Sequence, residues 1–259
     1  MIFYISCTGN TRWAAELLAT KIGERVYDVL KLEGSENFFT LDRDERIGFM
    51  FPVHGWRPPL PLRKFIKHLS FANSEGHYCY SICTAGDTVG EAMDILKNDL
   101  RQIGLTLDSA FSLIMPESYV GLPFMDVDTP QRERLKIDKA ECDLADFADI
   151  IAANKSGEYH VFEGRWPKIN SRVLGSFFLH CLITDKPFRV DEDKCLHCGR
   201  CAQVCPVANI DFHKHKVPQW HHEGACLSCF ACYHHCPVHA IEYGIRTKHK
   251  GRYYFGHSK

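Results

Sequence analysis

Eight of the thirteen cysteines fall into two runs of identical spacing. The runs begin 31 residues apart and read Cys195-x-x-Cys198-x-x-Cys201-x-x-x-Cys205-Pro206 and Cys226-x-x-Cys229-x-x-Cys232-x-x-x-Cys236-Pro237. Three thiolates at this spacing lie on one tight loop around a corner of a cubane 4Fe–4S cluster, and the proline ends the loop. A zinc site is the alternative interpretation of a single run. Because the run occurs twice, the sequence predicts two 4Fe–4S clusters.

The rest of the sequence is long enough for a second domain beside the cysteine runs. The chain has 259 residues, whereas a domain typically has about 100–150. Its composition, 45% hydrophobic and 24% charged residues, is that of a globular protein. A disulfide scaffold is not indicated, because the chain is not short and the runs claim eight cysteines. We predict that the other five are buried small hydrophobic residues; they are Cys7, Cys79, Cys83, Cys142 and Cys181.

Residues 1–155 alternate between apolar runs and helical patterns. The predicted strands lie at about 1–6, 25–30, 46–53, 77–84 and 109–115, and the predicted helices at about 10–23, 60–70, 88–103 and 130–154. Runs such as Ile-Gly-Phe-Met-Phe-Pro-Val are apolar almost throughout, which is typical of strands buried on both faces of a sheet. The alternation therefore predicts an α/β fold, a doubly wound sheet of parallel strands with right-handed crossovers.

The loop after the first predicted strand has the residue types that bind phosphate. It reads Ser6-Cys7-Thr8-Gly9-Asn10-Thr11 and leads directly into a helix. Hydroxyl groups, a glycine that permits close backbone approach and the free N–H groups of a helix N-terminus together form a cradle for an anion. The same side chains could instead cap the helix, so this loop alone leaves both interpretations open.

Two further loops follow neighbouring strands, at the edge of a parallel sheet where ligands bind. One contains an aromatic residue that can stack on a flat ring, and its residues are Pro52, Val53, His54, Gly55 and Trp56. The other is small and polar, suited to bonding the edge of a heterocycle, and its residues are Thr84, Ala85, Gly86 and Asp87. With the phosphate loop they predict flavin mononucleotide (FMN). The sequence contains neither G-x-G-x-x-G nor G-x4-G-K-[ST], so a dinucleotide or nucleoside triphosphate site is not supported.

Residues 1–155 resemble flavodoxin, because Ser6-x-Thr8-Gly9-Asn10-Thr11 is similar to the flavodoxin phosphate loop. The resemblance implies a five-stranded sheet of order 2-1-3-4-5. It also implies that the phosphate lies on the loop of residues 6–11, with the 51–57 loop over one flavin face and the 84–88 loop on the other side. Arg12 departs from the acidic residue often found there, and the 84–88 loop has no aromatic. Tyr119, in the loop after the fifth strand, is a candidate to replace it.

The cysteine runs resemble those of bacterial-type two-cluster ferredoxins, in which the fourth cysteine of each run ligates the other cluster. This resemblance assigns cluster 1 to Cys195, Cys198, Cys201 and Cys236, and cluster 2 to Cys226, Cys229, Cys232 and Cys205. Short apolar stretches flank both runs, which implies a small α+β ferredoxin-like domain over residues 185–259. As a whole, the chain resembles the EFR1-type flavodoxin–ferredoxin fusion proteins of anaerobic bacteria.

The predicted domains are joined by a linker, residues 156–184. Within it, residues 167–182 have the pattern of an amphipathic helix, which we expect to pack between the domains. The linker begins with turn-forming residues, Lys-Ser-Gly-Glu, as expected at a domain boundary. The second domain ends in a basic tail that starts at Arg246.

Charge is unevenly distributed along the chain. Residues 185–259 carry 11 lysines and arginines against 7 acidic residues, whereas residues 1–184 carry 20 against 25. The positive excess is either an ordinary solvated surface or a docking face for an acidic redox partner, or for the chain's own acidic half. The basic tail contains aromatic residues but is too short to indicate nucleic-acid binding.

The sequence indicates a protein without a membrane span. No apolar run reaches the roughly 18 residues that a membrane helix needs. The first residues, Met-Ile-Phe-Tyr-Ile-Ser, have no basic leader or cleavage site of a secretory signal. We therefore expect a cytoplasmic protein in a reducing environment with little oxygen. The sequence makes no prediction of oligomeric state.

The predicted cofactors lead to three hypotheses of function. In the first, electrons pass between the clusters and FMN, and to or from a redox partner; clusters move one electron and a flavin one or two. In the second, the chain is a flavoenzyme that reduces a quinone, nitro compound or enone, with His54, Arg57, Glu117 and Tyr119 near the ring. In the third, the flavodoxin-like domain holds no flavin and serves for docking.

Overall fold

The computed structural model of the chain describes residues 1–32 and 37–257, and its first part is an α/β domain. The strands of this domain are β1 (Ile2–Tyr4), β2 (Val26–Asp28), β3 (Phe38–Phe39), β4 (Ile47–Pro52), β5 (Ser70–Phe71), β6 (Cys79–Ala85), β7 (Ser109–Ile114) and β8 (Tyr159–His160). Its helices are α1 (Asn10–Ile22), α2 (Leu60–His68), α3 (Ala92–Arg101) and α4 (Pro130–Ala152). Residues 33–36 and 258–259, which fall inside the predicted ranges 1–155 and 185–259, lie outside the described residues.

Six of these strands form one parallel sheet in the order β2-β1-β4-β6-β7-β8. Strands β1, β2, β4, β6 and β7 are the five predicted strands, and their order is the predicted 2-1-3-4-5. The predicted flavodoxin-like doubly wound fold is therefore confirmed. Because the winding reverses between β1 and β4, the loops after these two strands open into one crevice at the carboxyl edge of the sheet.

The sheet is buried on both faces, which explains the apolar runs of its central strands. Phe49 and Met50 are neighbours on β4 and point to opposite faces. Phe49 belongs to the core that includes side chains of α2 and α3, whereas Met50 belongs to the core that includes side chains of α1 and α4. The helices on either side therefore hold the carboxyl edge of the sheet in place from two directions.

Short strands extend the architecture beyond the prediction. Strand β8 pairs with β7 through Ala110–Tyr159 and Phe111–His160. The sheet thus continues past residue 155, into the segment that the sequence assigned to the linker. Strands β3 and β5 form a separate parallel pair. Each of these three strands has only two residues, and two residues cannot show a period of apolar and polar positions.

Residues 167–182 form a continuous helical segment, called here the connecting helix. It alternates between α-helical and π-helical turns, and the π-helical stretches are Asn170–Leu174 and Phe178–Leu182. The guanidinium of Arg57 donates two hydrogen bonds to the carbonyl oxygen of Ser171, at 3.0 and 2.7 Å. The connecting helix is therefore attached to the loop after β4. Among the described helices, none is both long and apolar enough to cross a membrane.

The second domain contains the cysteine runs in a duplicated arrangement. Its strands and short helices are β9 (Phe188–Val190), α5 (Arg200–Gln203), β10 (Ile210–Asp211), β11 (Gln219–Trp220), α6 (Ala231–His234) and β12 (Ile241–Tyr243). Strand β9 pairs with β12, and β10 with β11, both antiparallel. The order strand, cysteine loop, helix, strand occurs twice, as the ferredoxin resemblance predicts.

The loop of residues 116–125 joins the α/β domain to the second domain. Val120 is fully buried in the same apolar cluster as Phe230. The amine of Lys250 donates to the carbonyl oxygens of Val120 (2.9 Å) and Met125 (2.6 Å). These contacts place the second domain against the carboxyl edge of the sheet.

The segment predicted as a basic tail folds back onto the α/β domain. The hydroxyl of Tyr253 donates to Asn10 Oδ1 at 2.6 Å, and the amide N–H of Phe255 donates to the carbonyl oxygen of Thr8 at 2.8 Å. The Phe255 ring stacks on Trp13, with 4.9 Å between ring centroids. The second domain therefore contacts the phosphate loop through its own final residues.

Candidate functional site

The carboxyl edge of the sheet opens into a cavity of about 680 Å³. Sites for cofactors and small molecules usually measure about 300–1,000 Å³. All predicted cofactor-binding residues except Gly9 line this cavity; they are Ser6, Thr8, Asn10, Thr11, Pro52, Val53, His54, Gly55, Trp56, Thr84, Ala85, Gly86, Asp87 and Tyr119. The structure thus brings the three predicted loops and the Tyr119 loop around one space.

The phosphate loop presents unused donors to the cavity. Ser6 Oγ is buried and has no hydrogen-bond partner among the described residues. Helix α1 begins without a side-chain cap, and its first turn contains no acidic residue. The Asn10 side chain donates to the carbonyl oxygen of Pro116 (3.1 Å), and the Thr11 hydroxyl bonds that of Thr84 (2.8 Å). The capping interpretation of this loop is therefore wrong, and a phosphate group would satisfy both the hydroxyl and the helix N–H groups.

Gly9 has a role different from the predicted one. It adopts φ = 97°, a left-handed conformation that favours glycine. A Cβ at this position would lie 2.9 Å from Cβ of Phe255. Gly9 therefore faces the returning end of the second domain rather than the cavity. No local pattern predicts this contact, because Gly9 and Phe255 are far apart along the chain.

The loop after β4 places an aromatic ring at the cavity wall. His54 and Arg57 close a turn through mutual backbone hydrogen bonds of 2.9 and 3.2 Å. Trp56 within this turn has φ = 58°, which bulky residues rarely adopt. Its indole N–H donates to Thr88 Oγ1 at 3.2 Å. Such backbone strain is concentrated at ligand sites, and here it fixes the direction of the indole.

His54 provides a neutral imidazole deep in the cavity. Burial lowers the pKa of His54 to about 4, because no charged group compensates the loss of water around the ring. The part of its surface that remains accessible faces the cavity. Arg57, the other basic residue of the loop, instead donates to Ser171 on the connecting helix and is absent from the cavity lining. At neutral pH the loop therefore adds no positive charge to the cavity.

Glu117 brings a buried carboxyl group to the opposite wall. One carboxyl oxygen accepts the backbone N–H groups of Ser118 (2.9 Å) and Tyr119 (2.8 Å), and the other packs against Gly86. Burial raises the pKa of Glu117, although the two N–H groups partly oppose this effect. Lys136 donates to the carbonyl oxygen of Gly86 at 2.9 Å and steadies the same wall. Glu117 therefore keeps its proton to a higher pH than an ordinary glutamate does.

Tyr119 lies where three parts of the molecule meet. Its ring makes edge contacts with Phe178 of the connecting helix (5.2 Å between centroids) and with Phe230 of the second domain (5.4 Å). Burial raises the pKa of its phenol. Tyr119 lines the cavity as predicted.

Two further segments close the cavity, and the sequence did not indicate them. The connecting helix contributes Leu174, Phe177, Phe178 and Leu182, and the second domain contributes Leu227, Ser228 and Cys229. Gly175 packs directly on the carbonyl oxygen of Gly55, which leaves no room for a side chain between helix and loop. These walls depend on how distant segments pack together, so no local sequence pattern predicts them.

A predicted cluster ligand lies directly beside the phosphate loop. The Cys7 thiol lies beside Cys229, and both residues line the cavity. Leu227 and Ser228, which precede Cys229, are buried. The second cysteine run therefore faces the α/β domain, and Cys7, which was predicted to be a buried hydrophobic residue, makes a specific contact. Of the other unassigned cysteines, Cys79 and Cys83 are buried as predicted, whereas the prediction is wrong for the exposed Cys142 and Cys181.

The four cysteines assigned to cluster 1 surround one small cavity of the second domain. They are Cys195, Cys198, Cys201 and Cys236, and the cavity is also lined by Phe212 and Pro218. Three of these cysteines belong to the first run and one to the second. The structure therefore brings together residues in the crossed arrangement that the ferredoxin resemblance implies.

The four cysteines assigned to cluster 2 also lie together. Cys205, Cys226 and Cys232 belong to one apolar cluster of the second domain, which also contains Cys201 of the other set. The two sets are thus neighbours. All thirteen cysteines are free of disulfide bonds. Among the described residues, no three His, Cys, Asp or Glu side chains converge as closely as a single metal ion requires.

Backbone N–H groups point at the sulfurs of three of these cysteines. Asn209 donates to Cys205 (3.2 Å), Ser228 to Cys226 (3.3 Å) and Ala240 to Cys236 (3.2 Å). Hydrogen bonds of this kind stabilise the negative charge of cluster thiolates and help to set the reduction potential. The donor set of eight thiolates with amide hydrogen bonds therefore fits iron–sulfur clusters.

Residues 188–243 match the family model of the 4Fe-4S dicluster domain. A search of curated proteins finds no similar sequence. Among solved structures, the chain is similar to a candidate flavoprotein from Bacteroides uniformis ATCC 8492, with 18% identity, 44% of this chain and 88% of that chain covered, and a TM-score of 0.36.

Two further solved structures are also similar over part of their length. They are the metal-soaked flavodiiron core of Flv1 from Synechocystis sp. PCC6803 (18% identity, 58% of this chain covered, TM-score 0.34) and rubredoxin oxygen:oxidoreductase from the anaerobe Desulfovibrio gigas (12%, 59%, 0.36). This chain spans 36% of the length of each. The order of the parallel sheet and the match of residues 188–243 show a flavodoxin-like α/β domain followed by a ferredoxin-type 4Fe–4S dicluster domain.

Proposed function

We propose that the chain is an electron-transfer iron–sulfur flavoprotein, in which electrons pass between two 4Fe–4S clusters and an FMN, and to or from a redox partner. One observation carries the proposal: Cys229, a cluster 2 ligand by our assignment, lines the same cavity as the phosphate loop and contacts Cys7 of that loop. A cluster bound there would adjoin the flavin cavity without an intervening layer of protein.

The residues around the cavity fit FMN. The unpaired Ser6 hydroxyl and the uncapped N-terminus of α1 would hold the phosphate group. Trp56 and Tyr119 offer aromatic surface to the ring, and the small residues of the 84–88 loop leave their backbone groups accessible. Bound there, the flavin supplies one- or two-electron chemistry, and the clusters supply one-electron steps.

The surrounding protein keeps these sites close together. The connecting helix lines one side of the cavity with apolar side chains. Lys250 fastens the second domain to the 116–125 loop through the carbonyl groups of Val120, Leu122 and Met125. Cys201 lies on α5 and Cys232 on α6, and these two short helices pack against each other. We propose that the electron path runs from cluster 1 through cluster 2 to the cavity.

Cofactor content tests the proposal. Protein purified without oxygen should contain about eight irons, four for each cluster, and one FMN, and its visible spectrum should show both chromophores. Dithionite should bleach the cluster absorbance. Protein that still binds no flavin after anaerobic reconstitution would contradict the coupled function and favour the flavodoxin-like domain as a docking module.

A second candidate function is reduction of a small molecule at the flavin. It is favoured by an apolar cavity mouth, where Phe124 is 84% exposed and Phe177 56% exposed. His54 and Glu117 in the same cavity could hold or release a proton. Turnover of a quinone, nitro compound or enone with a reduced ferredoxin as donor would support this function. Failure over a broad panel of such acceptors, with FMN bound, would count against it.

The cysteine chemistry favours a reducing, oxygen-poor compartment such as the cytoplasm of an anaerobe. None of the thirteen cysteines is in a disulfide, and bound clusters need their thiolates in reduced form. We also propose that the chain is a member of the EFR1-type fusion proteins. Loss of visible cluster absorbance on exposure to air, and its retention under nitrogen, would support the assignment to such a compartment.

A further inference from the structure

The two cluster sites differ in their access to solvent. The cluster 2 set faces the α/β domain, where Leu227 and Ser228 are buried. In the cluster 1 set, Cys198 is exposed and its neighbour Leu196 is 61% exposed. A protein that exchanges electrons from outside can therefore approach cluster 1 more closely than cluster 2.

The surface beside cluster 1 carries positive charges that are not neutralised. The cluster 1 face is defined here as residues 194–200 together with the hairpin turn 213–217, whose flanking residues line the cluster 1 cavity. Arg200, Lys214 and Lys216 are exposed, and none of them forms an ion pair or side-chain hydrogen bond with another described residue. The face thus presents three exposed cations together with an exposed leucine.

Acidic residues near this face are few or already paired. Asp211 of β10 pairs with His221 at 2.9 Å, and Asp191 pairs with Lys194 at 2.7 Å. Glu192 and Asp193 precede the cysteine loop and are exposed. The hairpin side of the face is therefore positive, and the side at residues 191–193 is mixed.

Among the described residues, the acidic side chains of residues 1–155 form no ion pair with these cations. No ion pair between described residues links the second domain with residues 1–155. The cations that do cross this interface, Lys250 and Arg246, donate to backbone carbonyl oxygens instead. The cluster 1 face is consequently free to meet another molecule.

We propose that a small acidic electron-carrier protein docks on the cluster 1 face, a proposal that rests on the electron-transfer function above. Leu196 would form the apolar centre of the contact, and Arg200 and the hairpin lysines its charged rim, the usual composition of a protein interface. Opposite charges steer such a carrier to the correct face and raise the association rate about 10- to 1,000-fold at low salt. The mouth of the flavin cavity, with exposed Phe124 and Phe177, lacks such cations and is the alternative entry point.

Charge reversal tests the docking face. The variant Lys214→Glu/Lys216→Glu changes two exposed hairpin positions, and Lys64→Glu/Lys67→Glu on α2 makes the same charge change at two exposed positions of the α/β domain. The probe is a small acidic ferredoxin, and all proteins carry their clusters in oxidised form. Its dissociation constant is measured by calorimetry at low and at high salt, without any electron transfer. Iron and FMN contents are measured on the same samples.

The proposal predicts that the hairpin variant binds the acidic ferredoxin at least about tenfold more weakly at low salt, with little remaining salt dependence. The α2 variant should bind like the unchanged protein, and Arg200→Glu should behave like the hairpin variant. Three results would overturn the docking proposal. They are equal binding by all variants, equal weakening by the α2 and hairpin variants, and no measurable binding of the ferredoxin at low salt. A chain that binds the ferredoxin but contains no FMN would contradict the proposed function and leave the docking face intact.

Discussion

The side chains of Cys7 in the phosphate loop and Cys229 in the second cysteine run lie beside each other in the wall of one cavity, where the Cys7 thiol can donate a hydrogen bond to the Cys229 sulfur. If Cys229 ligates iron, its sulfur carries no proton, so Cys7 is then the only possible donor of this bond. The contact joins the loop that would hold the FMN phosphate to a ligand of the neighbouring cluster. The two predicted cofactor sites therefore adjoin at this point.

Replacing Cys7 should change one cluster and spare the other. A hydrogen bond to a ligand sulfur stabilises the additional negative charge of a reduced cluster and raises its reduction potential. In Cys7→Ala, the potential of cluster 2 should therefore become more negative, while iron content stays at about eight per chain. Redox titration followed by electron paramagnetic resonance measures this shift.

The exposed Cys142 on α4 supplies the control for that experiment. Cys142→Ala removes a thiol that lies outside both cysteine sets and should leave both cluster potentials unchanged. Unchanged potentials in both variants would mean that the Cys7 contact does not influence the cluster. A shift of both clusters in Cys7→Ala would point to a general structural change instead.

Ser6 should contribute to the binding of phosphate and not to that of the flavin ring. Its unpaired hydroxyl can donate to a phosphate oxygen, and a hydrogen bond to a charged group contributes about 1.5–3 kcal/mol. Ser6→Ala should therefore weaken FMN binding by about tenfold or more and leave riboflavin binding unchanged. Quenching of flavin fluorescence measures both affinities.

Thr20 on α1 is a suitable comparison, since its hydroxyl donates only to the carbonyl oxygen of Glu16 on the exposed side of the helix. Thr20→Ala should bind both flavins normally. A parallel loss of FMN and riboflavin affinity in Ser6→Ala would show that the substitution disturbs the loop as a whole.

Glu117 should influence the flavin potential in a manner that depends on pH. Burial raises the pKa of its carboxyl group above the ordinary value, so the group gains its negative charge only as the pH rises through that raised pKa. A negative charge beside the ring opposes reduction. Glu117→Gln should therefore raise the FMN reduction potential, and the difference from the unchanged protein should grow with pH. Asp87→Asn, at an exposed carboxylate of the same cavity, should give a smaller shift because water screens it. A difference that is constant with pH would contradict the assigned role of Glu117.

Because the His54 ring is buried in its neutral form, we expect the folded protein to become less stable as the pH falls. Its folded pKa of about 4 lies below the ordinary 6.5. Between these values the unfolded chain binds a proton that the folded chain does not, so stability is lost as the pH falls from about 6.5 towards 4. The thermal midpoint should fall more steeply from pH 7 to pH 5 in the unchanged protein than in His54→Gln. Parallel curves would show that His54 is not buried in its neutral form.

Local patterns in the sequence were sufficient for the central sheet and for the residues of three loops. Buried strands such as β4 and β6 can be predicted from the sequence because both of their faces need apolar side chains. The phosphate loop was recognisable because hydroxyls and a glycine directly precede a helix. Strand β8 was missed, since two residues carry no periodic signal and their pairing depends on β7.

The remaining walls of the site arise from contacts between distant segments. Nothing near Cys7 indicates that Cys229 will lie against it, and nothing near Asn10 indicates the hydrogen bond from Tyr253. These contacts follow from how the second domain docks on the 116–125 loop. In the basic tail, Tyr253 and Phe255 contact the α/β domain, whereas Tyr254 stacks on His235 of the second domain.

We propose that one chain contains the whole electron path between clusters and flavin. Single electrons can be injected into the clusters of the fully loaded protein while the flavin absorbance is followed at several protein concentrations. We expect a first-order rate that is independent of protein concentration, because Cys229 and the phosphate loop share one cavity. A rate proportional to protein concentration, or no change in flavin absorbance, would contradict it.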